Sequence, residues 1–96
     1  MKELTPEQEA GFDIRVNVIK QTGFCAAGYQ VGDEILFTGH CIQGKTCIHA
    51  LIGQLPKVLA MKYGASFPWN DEPDTSYLAC PDAFNPVVFE FHRERK

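Results

Sequence analysis

Long hydrophobic runs are missing from this chain. No segment approaches the ~18 apolar residues of a membrane-crossing helix, and the opening MKELTPEQEA puts acids where a signal peptide needs an apolar stretch. A cytoplasmic protein with no membrane partner is the expectation. Basic excess is missing too: 9 Lys and Arg stand against 12 Asp and Glu, for a net charge of −3. Without a positive field to gather phosphates, nucleic acid is not an expected partner. The chain also lacks a CxxC pair, an HExxH, a glycine-rich nucleotide loop and a serine elbow, the spacings that identify zinc knuckles, metalloproteases, nucleotide sites and hydrolases. Internal repeats are not visible. What remains is 96 residues, 45% hydrophobic and 22% charged, which describes a single domain over 1–96 with one modest core.

Residues 1–11 are polar and read as a loosely ordered segment. Within it Thr5-Pro6-Glu7-Gln8 has the form of a helix start of one or two turns, with Thr5 as cap, Pro6 at the first helical position and Gln8 closing a capping box. Phe12, Ile14, Val16 and Val18 then alternate with polar residues through Lys20, which predicts a strand with one buried face. If that strand lies at an edge, it offers a homodimer contact. A turn at Gly32-Asp33 leads into a second strand with Ile35 and Phe37 on one side. Residues 41–44 read as a connector, and Thr46 as the N-cap of a helix.

From Cys47 the positions Ile48, Leu51, Ile52, Leu55, Val58, Leu59 and Tyr63 recur at three- and four-residue spacing, as a helix packed on a sheet requires. Pro56 predicts a kink or a split into 47–54 and 56–63, and Gly64 ends the helix. The Phe67-Pro68-Trp69 loop is expected to plug the open end of the core with its aromatics. Thr75 to Cys80 forms a short strand, and Val87, Phe89 and Phe91 face one way in the last. The sign-mixed terminus reads as a solvated tail over 93–96. Together these elements make a small α+β two-layer domain, a three- to four-stranded, mostly antiparallel sheet packed by one long, Pro-kinked helix.

Four cysteines, Cys25, Cys41, Cys47 and Cys80, are free thiols, metal ligands or redox centres in a reducing compartment, or small buried hydrophobes. Cys47 sits at the helix start, where unpaired N–H groups and the positive dipole end favour thiolate, so it is the candidate nucleophile or redox thiol. In that reading Lys45 assists, His49 or His40 is the base, and Asp82 orients it; the simpler role for Asp82 is a turn acid. Cys25, Cys47 and Cys80 each flank the end of a strand or helix, and such ends can meet on one edge of a two-layer domain. Completed by His49, or by His40, Cys41 or a water, they would suit zinc or iron. The alternative is a non-catalytic binding module that engages a partner protein through Phe67-Pro68-Trp69 and Tyr29.

Several separated motifs occur in order: Cys25-Ala26-Ala27-Gly28-Tyr29, Val31-Gly32-Asp33-Glu34, Cys47 nine residues before Pro56, Tyr63-Gly64 with Phe67-Pro68-Trp69, Cys80-Pro81-Asp82, and Asn85-Pro86-Val87-Val88-Phe89-Glu90. Across 13–92 the chain resembles a family of small, cysteine-containing prokaryotic proteins of unassigned function. The resemblance implies a fold and a cysteine pattern rather than an activity. It sets Cys25, Cys47 and Cys80 inside motifs and Cys41 in a variable stretch. The family pattern has a tryptophan near His49 and a histidine closer to Ile52, so His49 departs from it. The expectation is a small thiol-site protein that binds a transition metal or carries redox chemistry, acting on a protein or small-molecule partner, with enzyme status open.

Overall fold

Strict alternation organises the domain. In the computed structural model, which describes residues 2–95, it produces β1 (Asp13–Gln21), with Ile14, Val16 and Val18 buried on one side and Arg15 and Asn17 on the other. Both edges of β1 are used. It pairs antiparallel with β2 (Glu34–Thr38) and with β5 (Val87–Glu94), and a bulge between Val18 and Lys20 interrupts the second ladder. Beyond β2 lies β3 (Cys41–Gln43), and beyond β5 lies β4 (Thr75–Ala79), so the order is β3-β2-β1-β5-β4, antiparallel throughout. The sheet thus has five strands rather than three or four, and residues 41–43 are a strand rather than a connector. A β1-edge homodimer is excluded because β1 is the central strand.

One face of the sheet is wet. Arg15 bridges it laterally, bonding Glu34 at 3.1 Å and Glu94 at 2.6 Å across the neighbouring strands. The other face carries Ile14, Val16, Ile35, Phe37, Phe89 and Phe91 and is covered by α2 (Ile48–Lys62). A short α1 (Pro6–Ala10) precedes β1 and has the expected capping box between Thr5 and Gln8. The helix α2 ends in a Schellman motif: Ala65 N–H bonds Ala60 C=O at 2.9 Å, Gly64 N–H bonds Met61 C=O at 3.1 Å, and Gly64 takes the φ of +102° that this requires.

Three expectations about α2 are corrected: its N-cap, its split at Pro56 and its buried face. Its N-cap is Cys47 rather than Thr46. It runs unbroken through Pro56, whose ring lies on the exposed side, where the Ile52 carbonyl it leaves unpaired can face water. Its buried stripe is Ala50, Gln54, Val58 and Met61, whereas Ile48, Ile52, Leu55, Leu59 and Tyr63 face outward. The helix is apolar on two sides, and the side turned inward carries Ala50, Val58 and Met61 together with Gln54.

Within that interface Gln54 is fully buried, and neither end of its carboxamide has a partner among the described residues. Such a group costs desolvation without return. Gln54→Met, similar in volume, is therefore expected to raise stability by about 1 kcal/mol and Tm by roughly 5 °C. A thermal melt in which Tm falls would refute this account of Gln54.

Charged side chains secure both flanks. Lys62 is 5% exposed and donates to the carbonyls of Ala10 and Gly39, joining the end of α2 to α1 and to the β2–β3 turn. Lys57 donates to Ser76 Oγ at 2.9 Å and Tyr77 C=O at 2.7 Å, and burial pulls its pKa down. Asp74 C=O and Cys80 N–H bond β5, so the odd-numbered groups of β4 face the open edge and the Lys57 ammonium blunts it.

The expected solvated tail is also corrected. β5 runs to Glu94, and Arg93 is 1% exposed among backbone carbonyls; Lys96, like Met1, lies outside the described residues. The aromatic plug is half realised. Phe67 packs against the core, whereas Trp69 is 71% exposed and stacks on the Phe67 ring at 5.2 Å.

Candidate functional site

The N-terminal end of α2 meets two loops, one after β1 and one between β4 and β5. Their backbones are held by side chains. Tyr29, which is buried at 3% exposure rather than displayed in a loop, donates its phenol O–H to Lys45 C=O and accepts the Cys47 N–H, both at 2.9 Å. The phenol therefore satisfies the backbone N–H of the N-cap residue, whose own side chain makes no capping bond. Burial pushes the Tyr29 pKa up, while the Cys47 N–H bond opposes that shift. The Tyr29 ring meets Phe89 edge-on at 5.4 Å, which ties this corner to the centre of the core.

The third segment is fixed by Asp82 and Asn85. Asp82 accepts the N–H groups of Phe84 (3.0 Å) and Asn85 (3.1 Å), which hold its carboxyl below the usual carboxylate range. This is the turn-acid role. Asn85 Oδ1 in turn accepts the Phe24 N–H at 2.9 Å, fastening the first loop to the second. Gly23 makes that approach feasible: its φ is +72°, and a Cβ there would overlap the Asn85 amide.

Together the three segments enclose a cavity of about 310 Å³ lined by Cys25, Cys47 and Cys80, with Tyr29, His49 and Asp82 also on its walls. This volume falls at the low end of the ~300–1,000 Å³ typical of small-ligand sites. The three thiols differ in their commitments. Cys80 Sγ accepts the Val87 N–H at 3.2 Å and so helps close the β4–β5 turn. Cys25 and Cys47 are half-buried, and their side chains pack against the core. Two strongly exposed phenylalanines, Phe24 and Phe84, adjoin the cavity residues Cys25 and Asn85 in sequence.

Of the residues singled out from sequence, Cys25, Cys47, Cys80, His49 and Asp82 share this cavity. His40 and Cys41 do not, lining instead a groove between β3 and the far end of α2. Among the described residues no three His, Cys, Asp or Glu side chains are placed to hold one metal ion, so the thiols gather around a space without forming a preassembled coordination set. Lys45 points away from them, its ammonium bonding Gly28 C=O at 3.3 Å. Asp82 is occupied by backbone and Asn85, so it does not orient His49. Sequence reasoning missed Tyr29 and Asn85 as builders of the site; a tyrosine beside a Gly turn carries no pattern that reveals a distant backbone partner.

No helix among the described residues is long and apolar enough to cross a membrane. Comparison with protein-family models, with curated proteins and with solved structures finds no match for this chain.

Proposed function

We propose that this cavity is the working centre of a small thiol-site protein, which takes up a thiophilic ligand or carries redox chemistry through Cys25, Cys47 and Cys80. One observation supports the reading above others: three cysteines far apart in sequence line the same space. Sulfur donors set in an apolar wall favour soft, poorly hydrated partners, either a transition metal such as zinc or iron, or an oxidant or electrophile that reacts at sulfur. The spread of the donors favours sulfur reactivity over a rigid metal centre, since a metal would have to draw the three loops inward. Cys47 is the central residue of this proposal because its backbone is anchored by Tyr29 while its thiol makes no capping bond to the helix.

The test begins from a Cys41→Ser background, which removes the exposed thiol outside the cavity. Protein purified without oxygen is analysed for metal, and its thiols are titrated with a small apolar maleimide before and after chelation. Cys47→Ser in that background is expected to cut bound metal, or the fast thiol phase, at least about tenfold. Metal content and thiol kinetics unchanged by the substitution would overturn the reading.

A further inference from the structure

The outward side of α2 carries a run of exposed apolar side chains. Ile48, Ile52, Leu55, Leu59 and Tyr63 are 72%, 75%, 37%, 53% and 58% exposed, and Ile42 of β3 beside them is 40% exposed. Their spacing of four, three, four and four residues draws one continuous stripe along the helix. No Asp or Glu occurs in α2, and the ammonium groups of its two lysines are engaged by carbonyls and Ser76, Lys62 also lying over the Tyr63 ring at 5.7 Å. On a chain of net charge −3, the longest helix therefore presents an uncharged apolar ridge to solvent.

The geometry points to a second copy of this chain as the occupant of this face, in an antiparallel two-fold dimer of α2 against α2. Three features select that partner. The stripe is nearly symmetric about Leu55, so a two-fold axis there sets Ile48 against the partner's Tyr63, Ile52 against the partner's Leu59, and Leu55 beside its own copy. An isologous interface needs this kind of self-complementarity. Antiparallel helices also place each positive N-terminus beside a negative C-terminus. Finally, shallow apolar grooves flank the ridge, one lined by Ile42, Leu55, Leu59 and Tyr63 and the other by Ile52, Gly53 and Leu78. Each is placed to receive side chains from the facing ridge.

Area is consistent with this assignment. At these exposures the six side chains offer on the order of 600 Å² of apolar surface, at the top of the range for the largest patch on a monomer. That is most of the ~800 Å² each partner gives to a standard interface, and the flanking backbone with His49 and Pro56 supplies the remainder. A dimer of this size and polarity is expected to dissociate in the micromolar range.

Sedimentation equilibrium of the full chain from about 1 to 100 µM tests the proposal. The expected result is a mass rising from that of the 10.8 kDa chain to twice that value. Ile52→Lys and Leu59→Glu, each at an exposed position and each checked for an unchanged circular dichroism spectrum, should separately weaken the dimer at least about a hundredfold. Mixed in equal amounts they should recover a heterodimer, because the antiparallel register places the two substituted positions opposite each other. A wild-type chain that stays monomeric throughout, as it would if this face served a different protein, overturns the proposal. So does a dimer that both substitutions leave intact, or a mixture that fails to associate.

Discussion

Arg93→Met is expected to remove about 3–5 kcal/mol of stability, a large share of the roughly 5–15 kcal/mol available to a domain of this size. The guanidinium is sealed inside the protein and spends every donor. It bonds Met61 C=O at 2.8 Å, Ala65 C=O at 2.7 Å, Pro73 C=O at 2.8 Å, Ser66 Oγ at 3.2 Å and Asp74 Oδ1 at 2.9 Å. A buried ion pair can often be replaced by apolar residues at little cost, but only when both partners are replaced. Here most partners are backbone carbonyls, which no substitution removes: Met61 C=O would keep the Gly64 N–H and Pro73 C=O the Ser66 hydroxyl, but Ala65 C=O would lose its donor and the Asp74 carboxylate one of its two cations. Arg93→Lys should recover only part of the loss, because an ammonium cannot span the same fork. Urea unfolding measures both; a loss below about 1 kcal/mol for the methionine variant would show that water replaces these bonds.

The same cluster sets an acid limit. Hydrogen bonds from Arg95 first, and then from Arg93 against the opposing pull of desolvation, hold the Asp74 carboxyl to about 2. Its folded pKa lies below its ordinary one. Its contribution is therefore complete above about pH 4 and is lost as pH falls through about 2.

Phe89→Ala should cost a comparable 3–5 kcal/mol. Phe89 is fully buried at the middle of β5, opposite Val18 on one side and Leu78 on the other. Its loss leaves a void between the sheet and Tyr29, and Tyr29 is the residue that holds Lys45 and Cys47 in place. The variant should thus weaken the fold and also loosen the cavity mouth, exposing Cys47 to modification faster than a global change in stability accounts for. Phe89→Leu, which fills much of the void, separates the two effects. If it keeps most of the stability yet modification of Cys47 still accelerates, the Tyr29 contact is responsible; if both variants lose less than about 1.5 kcal/mol, the core rearranges around the site.

Much of the sheet was legible in the sequence. Ile14, Val16 and Val18 alternate with polar partners, Val87, Phe89 and Phe91 repeat the pattern, and Thr5 with Gln8 announced the first cap. The sheet-facing side of α2 was not legible, because apolar residues lie on both sides and the buried one includes the polar Gln54 and Lys62. A three-residue edge strand such as β3 is too short to show a period. The burial of Arg93 left no sequence signal either, since its main partners are carbonyls and every residue has one. At the candidate site, the meeting of Cys25, Cys47 and Cys80 followed from their places at element ends. Its walls depend on long-range bonds from Tyr29 and Asn85, and single-chain spacing does not encode those.

The strand at the middle of the sheet comes early in the chain, yet one of its two partners comes last: Asp13 lies opposite Glu94, and Gln21 opposite Val87. During synthesis, the β1–β5 pairing cannot close until β5 has left the ribosome. Until then β1 and β2 form a hairpin with a bare apolar edge and face, which is the species most exposed to mispairing with other chains. Closing so long a loop also slows the search for the native pairing, placing folding on the slower side for a domain of this length. The sequence distance between those two strands ties completion of the core to the arrival of β5.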